Sequence, residues 1–184
     1  NLTIGGTGKT PLVKYIASEL LDRGYKPGIV SRGYGGKFKE TLEVTDKTTV
    51  KETGDEAQIL SKLNLPFFID KNRVRAIKKL LNNHDCDVII SDDGLQHYPM
   101  RRDIEIAVID GKRRFGNNLT FPAGPLRETS QRVNSVDFIV NNSGPTEENE
   151  FLMNISPSKF VHLKSGKKYS IDEWPMHNQV HAVA

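Results

Sequence analysis

Short apolar runs of the β type alternate with segments of helical periodicity along most of this 184-residue chain. The β-type runs are rich in Val, Ile and Phe and occupy residues 27–31, 42–44 (an edge strand), 66–70, 87–91, 104–109 and 137–140. Apolar residues recur at helical spacing in segments 12–21, 55–63 and 74–81. Parallel strands need crossover connections, whose helices cover the faces of the sheet. The alternation therefore predicts an α/β fold with a mainly parallel sheet and helices on both faces, in which Leu12, Ile16 and Leu20 of the first helix face the core.

The stretch TIGGTGKTP at residues 3–11 has the features of a phosphate-binding loop. It ends like the usual pattern G-x-x-x-x-G-K-[ST], but Thr3 replaces the first glycine. Flexible glycines let backbone N–H groups surround an anion, with Lys9 reaching the β- and γ-phosphates and the Thr10 hydroxyl binding Mg²⁺. A glycine-rich turn with an incidental Lys-Thr pair is the alternative. The predicted ATP contacts are Thr3, Ile4, Gly5, Gly6, Thr7, Gly8, Lys9 and Thr10.

A second motif, DVIISDD at residues 87–93, is an apolar strand that ends in two carboxylates. Acidic strand ends of this kind face the metal in nucleoside triphosphatases, so we expect Asp92 and Asp93 to hold Mg²⁺ or its water shell. Paired aspartates before glycine also form turns, which is the alternative. In open α/β sheets ligands gather at the carboxyl ends of the strands, where both motifs are expected to lie. Together they favour nucleotide binding in a P-loop NTPase-like fold.

Composition excludes some classes of protein. The balance of 26 basic and 23 acidic side chains is too even to indicate nucleic acid binding. The single cysteine, Cys86, excludes a disulfide framework and a multi-cysteine zinc site. No apolar run approaches the roughly 20 residues that span a bilayer, so we expect this stretch to be soluble. It starts at Asn1 rather than Met, so we also expect it to be a piece of a longer protein.

Basic residues are concentrated in one third of the chain. They predict either an anionic ligand or a solvated basic face, and the pattern alone does not decide between the two. The residues of this basic segment are Arg101, Arg102, Lys112, Arg113, Arg114, Arg127 and Arg132.

Five motifs occur in a fixed order: GGTGKTP, SRGYGG (31–36), TGDEA (53–57), SDDGLQHYPMRRDIEIAVID (91–110) and FGNNLTFPAGPLRE (115–128). In this order they closely resemble the tetraacyldisaccharide 4′-kinases, the lipid A 4′-kinases of Gram-negative bacteria. The resemblance extends over essentially the whole chain, as far as VHAVA at its end. Its most specific part is the combination of DDGLQH with PAGPLRE.

The resemblance implies transfer of the γ-phosphate of ATP, with Mg²⁺, to the 4′-hydroxyl of a tetraacylated glucosamine disaccharide 1-phosphate. It also implies a peripheral enzyme on the cytoplasmic face of the bacterial inner membrane, whose partners are the lipid A precursor and the membrane surface, with no nucleic acid. The family usually has an N-terminal membrane-associating helix and further sequence after VHAVA. We therefore expect both to be missing here, together with a late histidine thought to assist the catalytic acid.

The resemblance further assigns roles to individual residues. Asp55 matches the acid of the family's GDE motif and is the expected base, although Gly-Asp-Glu also suits a helix N-terminus. Lys9, which would reach the β- and γ-phosphates, is also expected to be catalytic. Arg127 is expected to be catalytic because a guanidinium can clamp the 1-phosphate or the transferring group. The alternative for Arg32 and Tyr34 is a turn with a solvated arginine, and Gln96 and His97 could instead orient the water of the metal. The expected substrate contacts are Arg32, Tyr34, Gln96, His97, Asn117 and Glu128.

Two other functions stay open at this point. The first is a nucleotide switch or ATPase, although the chain has no Asn-Lys-x-Asp motif for guanine. The second is a fragment of the kinase that binds ATP without transferring phosphate. For domain organisation, the pattern predicts a P-loop kinase core at residues 1–145 and a β-rich segment at 146–184 that begins a second, smaller lobe.

Overall fold

The computed structural model describes residues 1–156, 159–162 and 165–170. The helices are α1 (Lys9–Asp22), α2 (Val50–Thr53), α3 (Asp55–Ser61) and α4 (Arg73–Asn83), with a 3-10 helix at Ser130–Ser135. The strands are β1 (Pro27–Ser31), β2 (Leu42–Glu43), β3 (Phe67–Ile69), β4 (Val88–Ser91), β5 (Ile106–Asp110), β6 (Phe138–Asn142), β7 (Glu150–Met153), β8 (Lys159–Val161) and β9 (Lys168–Ser170).

A four-stranded sheet in the order β2-β3-β1-β4 forms the first half of the fold. The central strand β1 is parallel to both β3 and β4, and β2 is an antiparallel edge strand. Successive side chains of a strand point to opposite faces, so Ile29 packs with α1 and α3 while Val30 packs with α4. Phe67 and Phe68 divide in the same way. The predicted α/β architecture, a mainly parallel sheet with helices on both faces, is confirmed.

Helix α1 contributes its core residues from a different stripe than predicted. Val13 and Ala17 are its buried residues, whereas Leu12, Ile16 and Leu20 are only half-buried. Val13 belongs to the core cluster that contains Ile29, so the face of α1 that carries Val13 and Ala17 lies against the sheet. The helix ends as predicted near Gly24, whose φ of +84° suits glycine.

A second, three-stranded sheet has the order β5-β6-β7 and is parallel throughout. Strand β7 pairs with β6 along its whole length, from Glu150 to Met153. For this reason the chain divides into compact units after Met153, and not after residue 145 as the sequence pattern predicts. Within the second unit, β8 and β9 form an antiparallel pair. The part of the predicted second lobe at 171–184 lies outside the described residues.

Candidate active site

Three neighbouring strands of the first sheet end at the same edge. Ser31 pairs with Ile69 of β3, and Val30 pairs with Ser91 of β4. The pairing continues for one more residue on each side, since the Asp70 N–H donates to Ser31 O at 3.1 Å and the Asp92 N–H donates to Val30 O at 2.9 Å. The residues that follow these strands are therefore brought together by the parallel register, as expected for a ligand site in an α/β sheet.

The glycine-rich loop leads directly into α1. Gly5 and Gly8 have φ values of +101° and +93°, which side chains rarely adopt, and α1 begins at Lys9 immediately after Gly8. A helix start after glycines with such φ values directs free N–H groups and the positive end of the helix dipole at one point. The Lys9 ammonium lies 3.4 Å from Asp93 Oδ1, so the loop and the acidic strand end form one site.

Two residues that sequence reasoning did not single out as site residues hold this loop in place. The Asn142 amide, at the end of β6, donates to Thr7 O at 3.1 Å. The Arg113 guanidinium donates to Ile4 O at 3.3 Å and lies against Gly5, where a Cβ would meet it at 3.3 Å. Arg113 is itself oriented after β5, because its N–H and that of Lys112 donate to the Asp110 carboxylate. Position after a strand was the available signal for both residues.

The two predicted metal carboxylates have opposite surroundings. Asp92 is 1% exposed, and neither of its carboxylate oxygens has a hydrogen-bond partner. Burial is the main cause that raises the pKa of Asp92 to about 6, although nearby Lys9 opposes the rise. Asp93 accepts both Lys9 and Arg127 as ion-pair partners. Burial alone would raise the pKa of Asp93, but these two cations outweigh it and the pKa lies below its ordinary value.

A cavity of about 240 Å³ opens beside Asp93. Besides Asp93, its lining brings together four other residues expected from the sequence, Arg32, Gln96, His97 and Arg127. Burial and the positive charges of Arg73, Arg102 and Arg32 lower the pKa of His97, which favours the neutral ring. The remaining lining residues are Lys71, Arg73 and Asp93. The cavity is therefore strongly cationic, with its one carboxylate in the lining already paired.

The loop after β1 packs tightly against the start of α3. Gly54 has a φ of +83°, and a Cβ on it would lie 2.0 Å from the carbonyl oxygen of Tyr34. A Cβ on Gly36 would similarly lie 2.4 Å from the carbonyl oxygen of Glu52. Only glycine permits these approaches. They fix the first residue of α3, Asp55, beside the loop that carries Arg32 and Tyr34, with the side chains of Asp55 and Tyr34 exposed.

Of the three predicted site residues after β5, Arg127 lies in the cavity, and Asn117 and Glu128 do not line it. Asn117 shapes its own loop by donating to Ala123 O at 3.0 Å and accepting the Leu119 N–H. Glu128 lies 3.6 Å from the Arg132 guanidinium and accepts from the Tyr98 hydroxyl, which raises the pKa of Tyr98. Arg127 contacts both oxygens of Asp93, at 2.8 and 2.9 Å.

Much of the basic segment identified in the sequence is paired within the fold. Arg114 forms an ion pair with Glu150 at 2.8 Å, and Arg132 forms one with Glu105 at 2.6 Å.

The cations that sequence reasoning missed are Lys71 and Arg73, which follow β3 outside that segment. Their signal was positional, since they come directly after a predicted strand whose neighbours already carried motifs. Among the described residues, no group of three or more His, Cys, Asp and Glu side chains is placed to hold a metal by itself.

Comparisons with known proteins show which proteins the chain resembles. Residues 1–184 match the model of the family described as tetraacyldisaccharide-1-P 4′-kinase. A tetraacyldisaccharide 4′-kinase of Shewanella frigidimarina is 46% identical over 185 residues, covering 100% of this chain and 54% of that protein. The corresponding protein of Haemophilus influenzae is 45% identical over 95% of this chain and 53% of its own length. The chain thus spans about half the length of the curated relatives it matches.

The fold also matches a solved structure. A crystal structure of the "apo" form of LpxK from Aquifex aeolicus in complex with ATP superimposes with a TM-score of 0.76. The two chains are 28% identical, and the match covers 94% of this chain and 57% of the other.

Proposed function

The chain belongs to the tetraacyldisaccharide-1-P 4′-kinase family, and we propose that its parent protein transfers the γ-phosphate of ATP to the 4′-hydroxyl of a tetraacyldisaccharide 1-phosphate. The acceptor would be a lipid A precursor, so the reaction would belong to lipopolysaccharide biosynthesis.

One observation carries this proposal. The loop lysine, Lys9, lies 3.4 Å from Asp93, beside a buried carboxylate, Asp92, that has no partner of its own. An unpartnered buried carboxylate destabilises a fold and is retained where a ligand supplies the missing interaction. Phosphoryl transfer needs this combination, since the phosphates require a cation and backbone N–H groups on one side and a metal ligand on the other.

On the nucleotide side, ATP would bind along residues 3–10, with its phosphates at the N-terminus of α1 and against Lys9. Mg²⁺ fits the residues present, because Mg²⁺ is commonly held by one or two carboxylates together with substrate phosphates. Asp92, Asp93 and the Thr10 hydroxyl would hold it or its water shell. When bound, the ion neutralises charge that develops on the transferring phosphoryl group.

On the acceptor side, Asp55 would accept the proton of the attacking hydroxyl as general base. Its exposed position at the start of α3, next to the loop of Arg32 and Tyr34, supports access for a large substrate. Arg127 would align the carboxylate of Asp93 and share in binding phosphate. Arg32, Tyr34, Gln96 and His97 would contact the acceptor, and Asn117 and Glu128 would shape the surrounding loop.

The same proposal includes a site of action. An acylated acceptor resides in a membrane, so the complete protein would work as a peripheral protein at the cytoplasmic face of the inner membrane. The described residues contribute no helix of the length and hydrophobicity that crossing a bilayer requires.

The test is a transfer assay with the complete protein, [γ-³²P]ATP, Mg²⁺ and the tetraacyldisaccharide 1-phosphate in detergent micelles. We expect labelled bis-phosphorylated lipid from the wild type. Lys9→Ala should lower the rate by about 10³-fold and Asp55→Asn by about 10²- to 10⁴-fold. Lys14→Ala on the same helix and Asp46→Asn in an exposed loop are the matched controls, expected to retain the rate.

The alternatives give different results. Hydrolysis of ATP without labelled lipid would contradict the kinase and favour a nucleotide switch or ATPase. Binding of ATP with neither hydrolysis nor transfer would favour a non-catalytic nucleotide-binding protein.

A further inference from the structure

Two buried nitrogen atoms in residues that line the cationic cavity lack a hydrogen-bond partner. They are Nε of Arg73 and Nε2 of His97. Arg73 is only 5% exposed, so water does not replace the missing partner readily. Buried polar atoms of folded proteins nearly always have partners, and two exceptions around one cavity indicate a ligand that completes them.

Among the described residues Arg73 also forms no direct ion pair, and the charges of Asp93, Asp92 and Asp70 offset only in part the burial that lowers its pKa. Its guanidinium donates to two backbone carbonyls, Lys71 O at 3.2 Å and Asp93 O at 3.1 Å. Within the described part of the chain, no carboxylate lies within 4 Å of it. Burial, followed by the charge of Arg32, lowers the pKa of Arg73 below its ordinary value. A buried cation without a counter-ion destabilises the protein, so an anion at this place would stabilise it.

The rest of the lining suits an anion too. Arg32, Lys71 and Arg127 add three cationic side chains from three different segments. The carboxylate of Asp93 is paired directly with Lys9 and Arg127, and its charge offsets only in part the burial that lowers the pKa of Arg73. A volume of about 240 Å³ accommodates a phosphate group with attached atoms. None of residues 3–10 belongs to the lining, so the groups that face this cavity are not those of the glycine-rich loop.

We propose that the cavity is a second phosphate subsite, in which Arg73 and Lys71, together with Arg32 and His97, bind a terminal phosphate dianion. His97 would donate from Nε2 in its neutral form. The inference rests on the proposed function, because that function supplies the phosphate. Its source is either the phosphate carried by the acceptor or the γ-phosphate of ATP, reaching past Asp93. Arg73 also holds the carbonyl of Asp93, a residue with a φ of +51°, so the subsite is joined to the acidic strand end.

Equilibrium binding to the complete protein tests this subsite by isothermal titration calorimetry. One arm compares ATP with ADP in the presence of Mg²⁺. The other compares the disaccharide lipid with and without its 1-phosphate, in micelles and without nucleotide. In Arg73→Gln one of these two affinity ratios should fall by about 10- to 100-fold, because a charge-assisted hydrogen bond to phosphate is lost. The ratio that falls identifies the source of the phosphate.

Two further variants keep the test decisive. Arg75→Gln removes a guanidinium from the same helix outside the cavity, and both ratios should stay unchanged. Lys71→Gln is exposed and should fold even where Arg73→Gln does not, lowering the same ratio by about three- to tenfold. The subsite is overturned if both ratios keep their wild-type values in Arg73→Gln and in Lys71→Gln. Since no arm measures turnover, a lack of phosphoryl transfer would count against the proposed function and not against the subsite.

Discussion

Two buried aspartates end the strands on either side of β1, and their surroundings could hardly differ more. Asp70 follows β3 and Asp92 follows β4, and each is 1% exposed. Asp70 receives the Thr41 hydroxyl, the Asn72 N–H at 2.8 Å and two N–H groups of Arg75 at 2.6 and 2.9 Å. Asp92 has no partner on either oxygen.

The pKa values of the two carboxyl groups diverge for the same reason. For Asp70 burial is the largest single influence and would raise the pKa, but Arg75, Thr41 and Asn72 together outweigh it and the pKa lies below its ordinary value. For Asp92 burial prevails and the pKa rises to about 6. Burial disfavours the ionised form at both strand ends, and only at Asp70 do hydrogen-bond partners outweigh it.

The difference separates a structural carboxylate from one kept for a ligand. The ionised form of Asp70 is bound by groups of its own chain and fastens the segment of Thr41 to the end of β3. The ionised form of Asp92 lowers the stability of the fold unless a cation is present. The free-energy cost of burying this carboxylate without a partner is offset when a ligand binds to it. Such a cost is typical of functional positions.

The largest expected effect comes from making Asp92 neutral. Asp92→Asn should lower phosphoryl transfer by the complete protein by about 10³-fold, because the side chain that would hold Mg²⁺ is lost. The same variant should be more stable than the wild type at pH 8 by about 2–3 kcal/mol, since a pKa some two units above the ordinary value corresponds to about that energy. Urea denaturation at pH 8 without nucleotide measures the second quantity.

Activity and stability must move in opposite directions for this interpretation of Asp92 to hold. A variant that loses stability as well as activity would mean that the Asp92 carboxylate stabilises the fold, as that of Asp70 does. Adding Mg²⁺ and ATP should raise the melting temperature of the wild type more than that of Asp92→Asn, because ligand binding stabilises only the state that binds it.

The sequence predicted a site at Asp92 and assigned Asp70 only to the end of a strand, and it did not predict what surrounds either carboxylate. Both follow apolar β-type runs, PFFID and DVIISD, and a parallel register was enough to place both at one edge of the sheet. The partners of Asp70 come from residue 41 and from the next helix, so local pattern gave no sign that one carboxylate is satisfied and the other is not. Pairing of this kind depends on tertiary contacts, which a single sequence does not display.

The dependence on tertiary contacts also explains why the fold could be predicted from the sequence while Lys71 and Arg73 of the cavity were missed. Periodicity of 2 and 3.6 residues is a local signal, and it predicted the alternation, the parallel sheet and the helices on both faces. Most cations of the cavity, Arg32, Lys71 and Arg73, follow β1 and β3, and of the basic segment that stands out in the sequence only Arg127 lines the cavity. Other members of that segment form structural ion pairs, such as Arg114 with Glu150. Clustering along the chain was a poorer guide to an anion site than position after a strand.

A smaller effect, on stability alone, is expected at the other strand end. Asp70→Asn should lower the free energy of unfolding by about 2 kcal/mol at pH 7, because the hydrogen bonds to a charged carboxylate are lost or weakened. Since the folded pKa lies below the ordinary 3.8, the stabilisation is complete above that value and is lost as pH falls through the folded pKa. The difference between wild type and variant should therefore be constant from pH 5 to 8 and shrink below about pH 4.

Urea denaturation across pH 3–8 checks this profile, and a difference that grows toward low pH would contradict it. The turnover number of folded Asp70→Asn should stay within about threefold of the wild type, because Asp70 does not line the cavity. A loss of turnover like that of Asp92→Asn would remove the distinction between the two strand ends.

The smallest expected effect comes from removing one hydrogen-bond partner of Asp70, which makes its surroundings more like those of the unpartnered Asp92. Thr41→Val keeps the shape of the side chain but removes the hydroxyl that donates to Asp70. Unfolding free energy at pH 7 should fall by about 1 kcal/mol, and Arg75 should keep the carboxylate ionised. Because one of the groups that lower the pKa of Asp70 is lost, the acid transition of the variant should begin at a higher pH than that of the wild type. An unchanged acid transition would mean that Arg75 and Asn72 alone account for the ionised state of Asp70, and that its contrast with Asp92 depends on the guanidinium rather than on the number of partners.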